Sequence, residues 1–182
     1  MISLKFKQKK GSFNLDIDVE FPATGLTILF GHSGAGKTSL LEVIAGISKP
    51  NEGIVSIKEK TLLDSSLSIF IAPEKRNIGY VFQDLRLFPH LTVLKNLRYG
   101  QASPNPSFEE KIMTLLGLKP LTTRKPTTLS RGEKQRVAIA RAILMEPELV
   151  LMDEPFSSLD LAQKNELLPY IEKMVTKIWR AI

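Results

Sequence analysis

The chain has 182 residues, is 43% hydrophobic and 24% charged, and carries a net charge of +6 with no cysteine, the size and composition of one globular domain rather than a disordered segment. The lack of cysteine excludes disulfides and thiolate metal sites and fits a reducing, cytoplasmic setting, the opening MISLKFKQKK lacks the apolar core of a secretory signal, and no apolar run approaches the roughly 20 residues that cross a bilayer. The basic residues are scattered, densest at Lys5, Lys7, Lys9 and Lys10, with no aromatic RNA-binding pattern beside them, so they read as solvated surface and nucleic acid is not expected as a partner.

The chain opens in strands. Phe13, Leu15, Ile17, Val19 and Phe21 alternate with polar residues at the period of two that a half-buried strand requires. A turn at residues 22–25 leads to Thr27-Ile28-Leu29-Phe30, expected as a short buried strand, and Leu40, Leu41, Ile44 and Ile47 mark the apolar side of the next helix. Strands are expected again at residues 54–57 and 77–83, the second alternating through Ile78, Tyr80 and Phe82. Residues 85–99 read as loop and short helices, and after the Pro-, Ser- and Asn-rich residues 101–107 a helix carries Phe108, Ile112, Leu115 and Leu116 on one side. Ser130 is a good N-cap for a helix over residues 132–145, with Glu133 three residues on to complete a capping box. Pro147 ends it, residues 149–152 form an apolar strand, and Leu167, Leu168, Ile171, Met174, Val175 and Ile178 share a last helical face that Pro169 should kink.

Two segments carry chemistry. The run Gly31-His32-Ser33-Gly34-Ala35-Gly36-Lys37-Thr38, with Ser39 after it, satisfies G-x-x-x-x-G-K-[ST] between an expected strand and an expected helix. Its small residues let consecutive amides curl around a phosphate in front of a helix N-terminus, Lys37 suits the β and γ phosphates, and Thr38 suits Mg²⁺. Asp153 and Glu154 follow an apolar strand, so both carboxylates emerge at its C-terminal end. Asp153 fits a metal, and Glu154 fits a general base acting on water.

With LSRGEKQRVAIARAIL at residues 129–144 and Gln83 closing its strand, the chain resembles the ATP-binding cassette family over essentially its whole length. The resemblance implies an α/β P-loop NTPase fold with an N-terminal antiparallel β subdomain and a helical insertion. Residues 1–85 or so would form the β subdomain and P-loop core, about 86–135 the helical part with the signature motif, and about 136–182 the acidic pair and D-loop. By the same likeness, Ser130 and Gly132 reach the γ-phosphate held by a second copy in a head-to-tail dimer, Asp160 is the D-loop aspartate, and Gln83 binds with Mg²⁺ and senses the γ-phosphate. Residues 85–93, with Leu85, Leu87, Phe88 and Leu91, would receive transmembrane permease subunits at the cytoplasmic face of the inner membrane, with a solute-binding protein acting indirectly. APEKRNIGYVFQDLRLFPHLTVLKNLRYG and NELLPYIEK resemble the molybdate-importing branch. The alternatives are an importer of another oxyanion or small solute, or a cassette that binds ATP without hydrolysing it.

Arg131 stands where the signature usually has glycine, which is expected to weaken ATP-driven dimerisation without abolishing it. Phe6 and Phe13 are candidates to stack on adenine, with Phe13 better placed in the core by its alternation. The family continues past this point into a strand bearing a switch histidine, for which neither His32 nor His90 substitutes by position. The chain is therefore expected to be C-terminally truncated, to leave its P-loop and Asp-Glu strands without their shared neighbour, and to show poor solubility and little turnover alone.

Overall fold

A computed structural model of the protein describes residues 1–101, 103–156, 161, 164–165 and 168–170. It divides into two units, Met1–Ile78 and Gly79–Ile182. Asp160 and most of the helix expected around Pro169 lie outside the described residues, although 168–170 are helical.

The first unit is built on an antiparallel sheet. Strands β1 (Ile2–Lys10) and β2 (Phe13–Phe21) form a hairpin in which Lys10 pairs with Phe13 across a two-residue turn, and Gly11 takes φ 60 there. Strands β3 (Glu52–Ile57), β4 (Lys60–Asp64) and β5 (Ile69–Phe70) complete the order β2-β1-β3-β4-β5. In β1, Ile2, Leu4, Phe6 and Gln8 are buried while Lys5, Lys7 and Lys9 are exposed, as the pleat dictates. The basic cluster is thus the solvent face of one strand, with Lys5 paired to Asp18 at 2.7 Å and Lys7 to Glu52 at 3.3 Å.

Helix α1 (Lys37–Ala45) buries Leu40, Leu41, Val43, Ile44 and Ala45 and stops at Gly46, whose φ of 78 suits a residue without Cβ. Ile47, expected on the apolar side, lies beyond that stop and is 44% exposed. The end of α1 is tied to the sheet by Gln8 Nε2 donating to Ser48 Oγ at 2.6 Å and by Lys10 pairing with Glu42 at 3.0 Å.

Residues 27–30 do not form the expected strand. No ladder includes them among the described residues, and Ile28 and Phe30 are 63% and 92% exposed. Apolar, β-favouring residues become a strand only where a neighbouring strand takes up their amides and carbonyls. Here none of the described strands does so.

In the second unit, β6 (Ile78–Val81), which begins at the junction, pairs with β7 (Leu149–Met152). Helices α2 (Val93–Arg98), α3 (Pro106–Leu115) and α4 (Arg131–Ile143) enclose a core that includes Val81, Val93, Leu97, Ile112, Leu116, Val137, Ile139 and Ile143. Each helix begins on a side-chain cap: Thr92 accepts from Lys95 N, Asn105 from Phe108 N, and Ser130 from Glu133 N. The close approach of α4 to β6 requires Gly79, where an added Cβ would meet the Ala142 carbonyl oxygen at 2.8 Å.

Candidate functional site

The phosphate-loop sequence folds as its composition demands. Gly34 and Gly36 take φ 81 and 92, left-handed values that L side chains resist. Gly36 is also the N-cap of α1, so no side chain caps that helix, and no acidic residue lies in its first turn. The first turn of α1 thus supplies no carboxylate of its own to offset the positive end of the helix, and an anion fits there. Lys37 Nζ donates to the carbonyls of Gly31 and His32, both at 2.9 Å, which folds its ammonium over the loop formed with Ser33, Gly34 and Ala35. Thr38 and Ser39 lie in the first turn behind it.

The aromatic candidates exchange places. Phe6 is 2% exposed and belongs to the sheet's core, whereas Phe13, expected there, is 37% exposed. A Cβ on Gly36 would come within 2.9 Å of Phe13 Cζ, so this ring lies directly against the phosphate loop. Being the first residue of β2, Phe13 sits at the end of the strand, where alternation no longer guarantees burial.

A buried cation fastens the far end of α1. Arg76, 3% exposed, donates to Val43 O at 2.9 Å, Ile44 O at 2.7 Å and Ile71 O at 2.7 Å. A cation at a helix C-terminus complements the carbonyl end of the dipole. Burial pulls its guanidinium down to about 10.

In the second unit, pairing of β6 with β7 brings Gln83 to the acidic pair. Asp153 N donates to Val81 O at 3.0 Å, continuing the ladder, and Gln83 Nε2 donates to Glu154 Oε2 at 3.2 Å. Asp153 is 4% exposed. Glu154 has φ 46, a conformation that costs a non-glycine residue about 1–3 kcal/mol and clusters at functional sites. No group of three or more acidic or histidine side chains among the described residues forms a metal cage. Asp153 itself offers a hard carboxylate oxygen of the kind that Mg²⁺ takes from protein, one or two such oxygens commonly sufficing beside phosphate and water.

The capping box at the start of α4 is complete, with Ser130 N donating to Glu133 Oε2 at 2.7 Å and Glu133 N to Ser130 Oγ at 3.2 Å. The cap uses Ser130 Oγ as an acceptor, so its hydroxyl proton remains a donor to offer elsewhere. An added Cβ at Gly132 would meet none of the described atoms within 4 Å, so packing against the described residues does not explain the glycine. Arg131 is exposed and lines a groove of about 330 Å³ with Asp84, Leu85, Leu87 and Pro89. Leu85, expected on an exposed docking surface, is instead 6% exposed and packs in the core, because the turn at Leu85 and Arg86 points it inward. Leu87, Phe88 and Leu91 are partly buried.

Two residues that sequence reasoning did not single out hold this loop. Asn96, fully buried, accepts from Phe88 N at 2.8 Å and donates to the carbonyls of Phe88, Leu91 and Thr92. Arg141 donates to Leu85 O at 3.1 Å and Arg86 O at 2.8 Å, and burial lowers its pKa. A polar residue amid Val93, Leu94 and Leu97 was the only available signal for Asn96, and Arg141 gave none.

An uncapped glycine loop at a helix start and an acidic pair beside a glutamine at paired strand ends define a P-loop nucleotide-binding cassette. The chain belongs to the ABC transporter family, whose model matches residues 15–157. It is 50% identical over 177 residues to the molybdenum import ATP-binding protein ModC of Photobacterium profundum, covering 97% of this chain and 49% of that protein. The ModC of Pectobacterium atrosepticum is 52% identical over 178 residues, with 98% of this chain and 51% of that protein covered. The chain thus spans about half the length of the curated relatives it matches. Among solved structures, the dimeric post-hydrolysis state of the ATP-binding cassette MJ0796 bound to ADP and Pi superposes with a TM-score of 0.76 at 28% identity, over 98% of this chain and 84% of that one. No helix among the described residues is long and apolar enough to cross a membrane.

Proposed function

We propose that the protein is the ATP-binding and ATP-hydrolysing subunit of a molybdate importer, working as a head-to-tail dimer beneath transmembrane permease subunits at the cytoplasmic face of the inner membrane. A solute-binding protein would act at one remove, through the permease. The likeness of half-length relatives named for molybdenum import supports the solute, and the Gln83–Glu154 contact supports the chemistry.

The loop amides from Gly31 to Thr38, with Ser39, wrap the phosphates, and Lys37 leaves its carbonyl partners to pair with the β and γ oxygens. Thr38 Oγ and the Asp153 carboxylate would hold Mg²⁺, with Gln83 as a further ligand. When bound, the ion draws negative charge off the phosphates and aligns them. Glu154 takes the proton of the attacking water, a contribution typically of about 10²- to 10⁴-fold. Gln83 donates to Glu154 and so orients the carboxylate towards that water. Phe13 stacks on adenine. Ser130 and Gly132 face the γ-phosphate held by the second copy, and Asp160 lines the same dimer contact. Leu87, Phe88 and Leu91 meet the permease.

Titration calorimetry with MgATP tests the nucleotide reading: uptake that is lost in Lys37→Ala, with the melting temperature unchanged, is the expected result. Uptake of labelled molybdate into vesicles carrying the permease tests the solute. Competition by tungstate is expected, and transport of sulfate in preference to molybdate would reassign the importer.

A further inference from the structure

The segment following Gln83 contains two consecutive non-glycine residues in the left-handed region, Leu85 at φ 62 and Arg86 at φ 41. Such a pair persists only where its surroundings over-determine it. The local amides are engaged, Leu85 N with Phe82 O at 2.9 Å and Arg86 N with Asp84 O at 2.8 Å, but the outward carbonyls of both residues are taken by one distant side chain. Arg141 Nη2 donates to Leu85 O and Nη1 to Arg86 O, while its guanidinium lies 5.4 Å from the Phe88 ring.

Arg141 is in the last turn of α4, the same 13-residue helix whose capped start carries Ser130 and Gly132. Residues 131 and 141 are separated by roughly 15 Å of helix at 1.5 Å per residue. We infer that Arg141 is a positioning residue: its two-pronged grip makes the left-handed turn at Leu85 and Arg86 an extension of α4, so a displacement of the Ser130–Gly132 end is passed to the turn next to Gln83. For the functional consequence, this rests on the reading that Gln83 serves bound nucleotide.

A planar guanidinium presents parallel donors at fixed spacing, which an ammonium does not. The alternative role for Arg141, a cation that merely complements the C-terminal end of the helix dipole, is filled equally well by lysine. Arg141→Lys therefore separates the two.

The measurement is amide hydrogen exchange on the whole chain. In Arg141→Lys, exchange at Leu85, Arg86 and Phe88 is expected to accelerate at least tenfold while residues 134–140 of α4 keep their protection. Arg86→Gly retains the carbonyl and relieves the left-handed strain, so in the double variant the acceleration caused by Arg141→Lys should shrink. Wild-type exchange at these amides in Arg141→Lys, equal loss of protection throughout the second unit, or strictly additive effects in the double variant would each overturn the inference.

Addition of MgATP gives the functional arm. Wild-type protein should slow exchange at Leu85 and Arg86, and Arg141→Lys should bind ATP within about threefold of wild type without that response. An equal response in both proteins overturns the coupling. If wild type takes up no nucleotide, the proposed function fails by itself, and the nucleotide-free comparison still decides the role of Arg141.

Discussion

Gln83 and Glu154, separated by 71 positions in sequence, are joined by a hydrogen bond of 3.2 Å from the amide Nε2 to the carboxylate Oε2. The pairing of β6 with β7 puts the two side chains at neighbouring strand ends, and the left-handed backbone at Glu154 is accommodated there. An amide donor fixes the carboxylate's orientation without removing its charge, which is what a group that must accept a proton from water requires.

The two members of this pair should therefore fail differently. Glu154→Gln should retain ATP binding and lose about 10²- to 10⁴-fold in phosphate release, the range for a general base. Gln83→Ala keeps the base and loses its orienting donor, so a smaller fall is expected, accompanied by weaker Mg²⁺ dependence. Steady-state hydrolysis and calorimetry on both variants make the comparison, and unchanged turnover in Glu154→Gln would move the base elsewhere.

Phe13 should matter for nucleotide and Phe6 for stability. Loss of a stacked base typically costs about 1–3 kcal/mol, so Phe13→Ala should weaken ATP binding by about 5- to 150-fold. Phe13→Trp should preserve it. Phe6→Ala, in the buried face of β1, should instead lower unfolding free energy by about 3–5 kcal/mol. Gly36→Ala disturbs the loop directly, because the new Cβ meets the Phe13 ring at 2.9 Å and a left-handed L residue costs about 1–2 kcal/mol. Nucleotide titrations beside denaturant melts separate binding loss from folding loss.

What could be read from sequence was what the chain writes locally. The capping box of Ser130 and Glu133 needs three residues of spacing, and the phosphate loop needs eight positions, so both were legible. The strand expected at residues 27–30 was not, because a strand is a property of its neighbours and the apolar run carries no information about them. Phe13 obeys the alternation, on the same pleat face as buried Leu15, and is still exposed, since its position at the end of β2 decides exposure. Arg76, Asn96 and Arg141 were hidden for another reason: each binds backbone carbonyls, Arg76 and Arg141 those of segments far away in sequence and Asn96 those of the loop just before it, and carbonyls have no residue identity to pattern against. The run Pro73-Glu74-Lys75-Arg76 gave a family likeness but no hint that its arginine caps α1.

Asp64 supplies an acid-sensitive element in the first unit. Its Oδ1 accepts from Ser66 Oγ at 2.6 Å, Ser66 N at 2.9 Å and Leu67 N at 3.2 Å. The Ser66 hydroxyl bond, with the two amides behind it, holds the carboxylate below its ordinary 3.8. A folded-state pKa below the unfolded one means that the unfolded chain takes up the proton first as pH falls. The contribution is thus fully present above 3.8 and declines as pH drops from there through the folded value. Asp64→Asn should be less stable than wild type at pH 7, with the gap closing below 3.8, as thermal melts across that range would show.

Arg131 should restrain dimerisation. It is the first residue of α4, where the helix's amide end already presents positive charge, and it is exposed there. If Ser130 and Gly132 approach the nucleotide of a second copy, the guanidinium enters the same narrow space. It adds bulk where glycine would leave clearance, while its charge favours phosphate. Steric exclusion acts on every approach, whereas the charge gains only when an oxygen comes within hydrogen-bond reach, so a net weakening is expected. Arg131→Gly in a Glu154→Gln background, which holds ATP unhydrolysed, should therefore shift the chain towards dimer at lower protein concentration. Sedimentation velocity with MgATP reads this directly: equal dimer fractions with and without the arginine would show that it has no part in the contact, and a smaller fraction in Arg131→Gly would show that it clasps the phosphate instead.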